Sequence, residues 1–280
     1  MIKKISVFAA DIDGTLAEKG GDLMPKTRAA IQRLHNEGVM IGIASGRPLD
    51  FGHTINRSKD WRLGFDFDFA IGMNGGDLWT KETNTIEHFY ELSTDTMRSI
   101  VEFLMPIDCN VIVYEKAYEL IRAKRMDDFL RMSQKRNHSY IEIGDPDFIC
   151  EFPTGKIEVQ AHPRYEPEIL EAVAKNASPE WSTVVTFRDA EHYTIEFQDP
   201  RVNKGLALEM YSKMKGIPLD EFIAFGDLDN DIALLEKAGW GVCLLNGSDK
   251  TKAVSQAVTE YDVRHDGVGH YLEDHWFSVG

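Results

Sequence analysis

Two aspartates one residue apart, Asp11 and Asp13, close the apolar run Ile5 to Ala10 and are followed by Gly14 and Thr15. Residues two apart in an extended chain point to the same side. Two carboxylates so placed face one reacting group, one as nucleophile and the other to give and take a proton. Gly14 allows a tight turn and close approach of the backbone to a ligand. The same residues also read as a solvated strand-to-turn junction, since Asp-Gly pairs are common in turns, and the pair by itself leaves both readings open. A second acidic segment, Gly226-Asp227-Leu228-Asp229-Asn230-Asp231, holds three aspartates in five positions, which repel unless a cation or solvent intervenes. Asp227 and Asp231 are four apart and share one face of a helix starting there. With Asp11 they offer hard oxygen ligands suited to Mg²⁺. Carboxylates also cap helix N-termini; that reading suits Asp229, and the metal reading suits Asp227.

Groups of opposite polarity lie elsewhere. The hydroxyl and adjoining amides of Ser45-Gly46-Arg47 suit phosphate oxygens at a helix start. Arg47 reaches either substrate or a core carboxylate. Lys204 can add a point charge, although a lone lysine is by default a solvated surface residue.

The elements that must position these groups follow from periodicity. Ile5 to Ala10, Val39 to Ala44 and Phe67 to Ile71 read as buried strands. Between the first two, Pro25 opens a helix to about Glu37 with Ala30, Ile31 and Leu34 on its inner face and Gly38 as its stop. The third strand ends at Asn74-Gly75-Gly76, a turn signal. The C-terminal part shows the same alternation, with a helix from Lys204 to Lys215, a strand from Phe222 to Phe225, a helix from Asp231 to Ala238 before Gly239, and a strand from Val242 to Leu245. Such a pattern implies a parallel sheet. The chemistry-bearing segments all sit at strand ends, where open α/β sheets bind ligands. Between them the texture is α+β: strands at Asn110 to Glu115, Lys156 to Ala161, Val184 to Phe187 and Tyr193 to Phe197, with helices near Thr94 to Met105 and Pro167 to Asn176. The expectation is an α/β core formed by 1–82 and 190–280, with an α+β insert at 83–189.

The chain has 280 residues, 43% hydrophobic and 28% charged, which suits one large or two smaller globular domains. No apolar run approaches the roughly 20 residues of a membrane span. Met1 to Ala10 runs straight into Asp11 and reads as a buried strand rather than a secretory leader, so a cytoplasmic protein is expected. Cys109, Cys150 and Cys243 lack disulfide or metal-ligand spacing. The net charge of -15 argues against nucleic-acid binding, and it requires any anionic substrate to meet a local positive site or a metal ion.

Taken together, these residues resemble the haloacid dehalogenase (HAD) superfamily. Asp11-Ile12-Asp13-Gly14-Thr15-Leu16 is similar to its first motif, Ser45 within Ala44-Ser45-Gly46-Arg47-Pro48 to its second, Lys204 in Asn203-Lys204-Gly205 to its third, and Gly226 to Asp231 to its fourth, all in order. Asn74-Gly75-Gly76 and the insert resemble the Cof-type branch, subclass IIB. The resemblance implies a Rossmann-like core with an inserted cap that selects the substrate, and a Mg²⁺-dependent phosphatase acting on a small phosphate ester. Asp11 would become an aspartyl phosphate and Asp13 would act as acid and base. Ser45, Gly46, Lys204 and Asn230 would hold phosphate. Asp11, Asp13 (through its carbonyl), Asp227 and Asp231 would hold the metal. Arg47, Asn74, Gly75, Arg188 and His192 are candidate substrate contacts. Ser45 stands where Cof-type proteins often carry Thr, and Ile232-Ala233-Leu234-Leu235 lacks a frequent Met; neither change touches the chemistry. The basic run Arg122, Lys124, Arg125, Arg131, Lys135 and Arg136 reads as a solvated helix face in preference to an anion-attracting lid. A phosphomutase, a phospho-accepting receiver and a silent ligand-binding protein are the competing readings. A receiver lacks so large an insert and an acid/base at the position of Asp13, and nothing here signals retention of a phosphoryl group.

Overall fold

The computed structural model describes residues 3–278, so Met1 and Ile2 of the lead-in to the first strand lie outside the described residues. The chain divides into two compact units, one running to Glu87 and resuming at Asn203, the other spanning His88–Val202.

The first unit contains β1 (Val7–Ala10), α1 (Pro25–Asn36), β2 (Met40–Ala44), α2 (Arg57–Asp60), β3 (Phe69–Gly72), β4 (Asp77–Thr80) and β5 (Thr85–His88). In the second unit are α3 (Thr94–Leu104), β6 (Asn110–Lys116), β7 (Leu120–Ala123), α4 (Asp128–Asn137), β8 (Tyr140–Ile143), α5 (Pro146–Ile149), β9 (Ile157–Ala161), α6 (Glu166–Lys175), β10 (Ser182–Arg188) and β11 (Tyr193–Gln198). The first unit resumes with α7 (Lys204–Lys215), β12 (Phe222–Gly226), α8 (Ile232–Lys237), β13 (Trp240–Cys243), α9 (Asp249–Val254), β14 (Ala257–Val258) and α10 (Gly267–Leu272).

The first unit's sheet has the order β14-β13-β12-β1-β2-β3-β4-β5 and is parallel from β14 to β3, with β4 antiparallel to β3. Both faces are covered, as all-parallel strands require. On β1, Phe8 and Ala10 join the core that α1 and α10 complete through Ala30, Ile31, Leu34, Val268 and Leu272. On the opposite face α7 and α8 pack together, and Tyr211 of α7 stacks on Phe69 of β3 at 4.0 Å. Pro25 begins α1, and Gly38, at φ +86°, follows its end, as the sequence signals demand.

The second unit holds a six-stranded sheet in the order β10-β11-β9-β6-β7-β8. One face packs Val111, Val113, Val159, Ile195 and Phe197 against Met97, Ile100 and Leu104 of α3. The units meet at 87/88 and 202/203 rather than at 82/83 and 189/190. Physically, β4 and β5 extend the first sheet, whereas β11 pairs with β9 and β10 in the second. Among the described residues no helix is long and apolar enough to cross a membrane.

Candidate active site

From β1 the first unit's chain proceeds through β2 and β3 to one side, and later through β12, β13 and β14 to the other. That reversal makes a crevice outside the carboxyl ends of β1 and β12. The ladder continues one residue past the strands: the Asp11 N–H donates to the Phe225 carbonyl at 3.0 Å and the Ser45 N–H to that of Ile71 at 2.8 Å. Both residues are thereby held at the mouth of the crevice.

The centre of the site is acidic and buried. Asp11 is 7%, Asp227 5%, and Asp231 and Lys204 0% exposed. One carboxylate oxygen from each aspartate lies within 4.8 Å of the others. The Lys204 ammonium donates to Asp11 Oδ1 at 2.6 Å and to Asp231 Oδ1 at 2.5 Å. Asp231 Oδ2 accepts the Asp227 and Leu228 amides at 2.9 and 3.1 Å, and the Thr15 hydroxyl donates to Asp227 Oδ1 at 2.9 Å. Gly14 is required here twice over: its φ is +94°, and a Cβ would stand 2.3 Å from Asp227 Oδ2.

Burial lifts the Asp11 carboxyl well above its ordinary range, against the pull of Lys204 and with a further push from Asp231 and Asp227. Burial, then Asp231, push Asp227 up to about 7, while the Thr15 hydroxyl pulls it back. For Lys204 burial works downward, but Asp11 and Asp231 outweigh it and raise its pKa. Three carboxylates therefore share one ammonium in a place that disfavours uncompensated charge. An all-oxygen donor set with excess negative charge fits a hard divalent cation.

A second group forms beside the first. Arg47 grips Asp13 with its fork, Nε to Oδ2 at 2.7 Å and Nη2 to Oδ1 at 2.6 Å. Of the two partners open at the sequence level, Arg47 takes the core carboxylate. Its amide donates to Ser45 Oγ at 3.2 Å. Behind it, Met73, Asn74 and Gly75 all have positive φ, 48°, 56° and 108°, a strained turn held by Met73 N–H to Arg47 O and Asn74 N–H to Ser45 O. Asn230 donates to Asn74 Oδ1 at 3.3 Å, and a Cβ on Gly46 would stand 2.7 Å from the same oxygen.

Several side chains depart from expectation. Lys204 is fully buried rather than solvated, because two carboxylates receive it. Asp229 does not cap the following helix; it accepts from Ser248 at 2.6 Å and Lys250 at 2.9 Å. The basic run is not one helix face. Arg122 is buried on β7 between Glu115 and Glu151, Lys124 donates to the carbonyls of Met105 and Ile107, Arg125 pairs with Asp108, and only Arg131, Lys135 and Arg136 lie exposed on α4. Arg188 and His192 belong to the second unit and are engaged there with Glu166 and Asp189. Sequence reasoning passed over two residues. Thr15 orients Asp227, and Asn246, after β13, donates to the Gly14 carbonyl at 2.9 Å and accepts from the Val263 amide. The Asn246-Gly247 pair after a strand was the available signal.

Known proteins bear on this arrangement. A family model described as haloacid dehalogenase-like hydrolase matches residues 8–272. A phosphoglycolate phosphatase of Methanosarcina mazei is 37% identical over 257 residues, 92% of this chain and 91% of its own. The 5-amino-6-(5-phospho-D-ribitylamino)uracil phosphatase YitU of Bacillus subtilis is 25% identical over 282 residues, covering all of both chains. Among solved structures, the HAD subclass IIB sugar phosphatase BT4131 superposes with a TM-score of 0.78 at 20% identity, over 98% of this chain and 100% of that one.

Proposed function

The chain belongs to the haloacid dehalogenase-like hydrolase family, and on that premise we propose that it is a magnesium-dependent phosphatase that hydrolyses a small phosphomonoester through an aspartyl phosphate on Asp11. One observation carries the proposal: Asp11, Lys204, Asp227 and Asp231, from distant parts of the chain, share one buried cluster.

Asp11 attacks phosphorus in line, the ester P–O bond breaks, and Asp13 gives its proton to the departing oxygen. Water then attacks the aspartyl phosphate, Asp13 takes a proton from it, and orthophosphate leaves with Asp11 restored. The Ser45 hydroxyl, the Gly46 amide and the Asn230 amide hold phosphoryl oxygens. Lys204 has three N–H bonds; two go to Asp11 and Asp231, and the third reaches a phosphoryl oxygen. Phosphoryl transfer rests on such positioning and on cancelling charge at the equatorial oxygens. Asp11, the Asp13 carbonyl and Asp227 would hold Mg²⁺, which when bound supplies positive charge to the phosphoryl group. Asp231 already accepts three hydrogen bonds of about four that a carboxylate can take, so its role is to orient Lys204 and the Asp227 backbone.

Hydrolysis of p-nitrophenyl phosphate tests the reading. Activity is expected with Mg²⁺ and lost both in chelator and in Asp11→Asn; equal activity of wild type and variant refutes it. For the substrate, the names of the relatives support a small, oxygen-rich phosphomonoester: phosphoglycolate in one case and a phosphorylated ribityl chain in the other. A panel containing both classes ranks them. The second unit is proposed to act as the cap that selects among them.

A further inference from the structure

Asp13 is the group assigned both proton transfers, yet its two carboxylate oxygens are held by one guanidinium. We propose that Arg47 is a positioning residue for the proton transfers of Asp13, its fork fixing the plane in which that carboxyl meets first the leaving oxygen and then the attacking water. The inference rests on the phosphatase reading above.

Three observations support it. The contact is bidentate, 2.7 and 2.6 Å, and two parallel N–H···O bonds fix the orientation of a carboxylate as a single contact cannot. The Arg47 backbone is itself fixed at both ends. Its N–H donates to Ser45 Oγ, and its carbonyl accepts the Met73 amide at 2.9 Å. A residue anchored in the strained turn and in the Ser45 hydroxyl thus reaches across from the end of β2 to the end of β1. The third observation is exposure: the Arg47 and Asp13 side chains are 19% and 29% exposed. The pair is therefore neither sealed in the core nor fully solvated, so an ester can still reach the Asp13 carboxyl, whose orientation bears directly on rate. Arg47 serves Asp13 as Lys204 serves Asp11 in the buried cluster. Each reactive carboxylate thereby meets a cation, Arg47 for Asp13 and Lys204 for Asp11 together with Asp231.

The test exploits the difference between esters that need a proton on departure and those that do not. For both, kcat/KM covers steps through the first irreversible one, the departure of the alcohol or phenol. The p-nitrophenolate ion leaves without protonation; the alkoxide of glycerol 3-phosphate does not. General acid–base catalysis contributes roughly 10²–10⁴-fold. In Arg47→Ala, kcat/KM for glycerol 3-phosphate is therefore expected to fall at least about tenfold further than kcat/KM for p-nitrophenyl phosphate. With p-nitrophenyl phosphate the variant should also show a burst of product, because water attack still needs Asp13 and becomes the slow step. Arg47→Lys keeps the charge but not the fork and should show the same leaving-group discrimination as Arg47→Ala. Adding Arg47→Ala to Asp13→Asn should change the ratio between the two esters no further, as expected for residues acting through one another. Melting curves verify that each variant is folded.

Equal loss of kcat/KM for both esters, absence of the burst, or a wild-type ratio in Arg47→Lys would each overturn the role assigned to Arg47. Wild-type protein that turns over neither ester refutes the phosphatase reading instead, so the two failures are distinct.

Discussion

Removing a carboxylate from the proposed metal site should stabilise the metal-free protein. Asp227 titrates near 7 instead of its ordinary 3.8, chiefly through burial and then through Asp231. The gap of about 3 units corresponds to about 4 kcal/mol at about 1.4 kcal/mol per unit, an upper figure for so coupled a group. The sign follows from linkage. A carboxyl whose pKa is raised on folding binds its proton more tightly in the native state, so its favourable contribution is full below about pH 4 and is lost as pH rises through 7. At pH 8 without metal the native state carries the whole penalty. Asp227→Asn has no charge at any pH and keeps the acceptor that Thr15 needs. Its amide nitrogen replaces Oδ2, which lies 3.5 Å from Asn246 Nδ2, and two facing donors cost about 1–2 kcal/mol. In EDTA at pH 8 the variant should therefore be about 2 kcal/mol more stable than wild type, an advantage that disappears by pH 4–5. The assay is urea unfolding followed by tryptophan fluorescence, which reports mainly on the first unit because Trp61, Trp79, Trp240 and Trp276 lie there and only Trp181 lies in the second. A variant less stable than wild type in EDTA at pH 8, or a difference that does not change between pH 5 and pH 8, would refute the reasoning.

Lys204→Met leaves Asp11 and Asp231 buried without their ammonium; a loss of about 3–5 kcal/mol is expected, smaller at pH 5 than at pH 8 because the carboxyls can protonate, and thermal melts across pH read it. Gly14→Ala places a methyl 2.3 Å from Asp227 Oδ2 at a φ of +94°; it should raise the Mg²⁺ concentration for half-maximal activity by at least about tenfold, about 1.4 kcal/mol in binding, and an unchanged Mg²⁺ titration counts against the placement of Asp227. Arg122→Ala strips the partner of the half-buried Glu115 at 2.8 Å and of the exposed Glu151 at 2.7 Å, with an expected loss of about 1–3 kcal/mol in melting experiments and an unaltered Mg²⁺ requirement.

The sequence revealed those parts of the fold whose signals are local. The helix α7 was legible from Lys204 to Lys215, the bounds it has in the structure, where the Asn203 side chain caps the Leu206 amide and Gly216 lies in the left-handed region. Strand β1 was legible because an apolar run stops at two aspartates. By contrast, β5 has the residues Thr-Ile-Glu-His, almost all exposed, and carries no period to find; it exists because β4 offers an edge. Strand β11 reads clearly as a strand, but its membership in the second sheet depends on pairing with β9, a long-range fact that moved the expected boundary. The burial of Lys204 and Arg122 was unreadable for the same reason. Asp11 lies 193 residues from Lys204, and an isolated lysine carries no mark of a distant carboxylate.

The pairing of charges within the first unit has a consequence for a chain with a net charge of -15. Around the crevice, Asp11, Asp13, Asp227 and Asp231 face Lys204 and Arg47, and both cations are already engaged, Lys204 with Asp11 and Asp231 and Arg47 with Asp13. In the reading proposed above, a phosphoryl dianion meets only the third N–H of Lys204, while Arg47 stays on Asp13. The deficit of two positive charges among these six groups is what a divalent ion would make good, and for that reason the four carboxylates and the two cations form a single device.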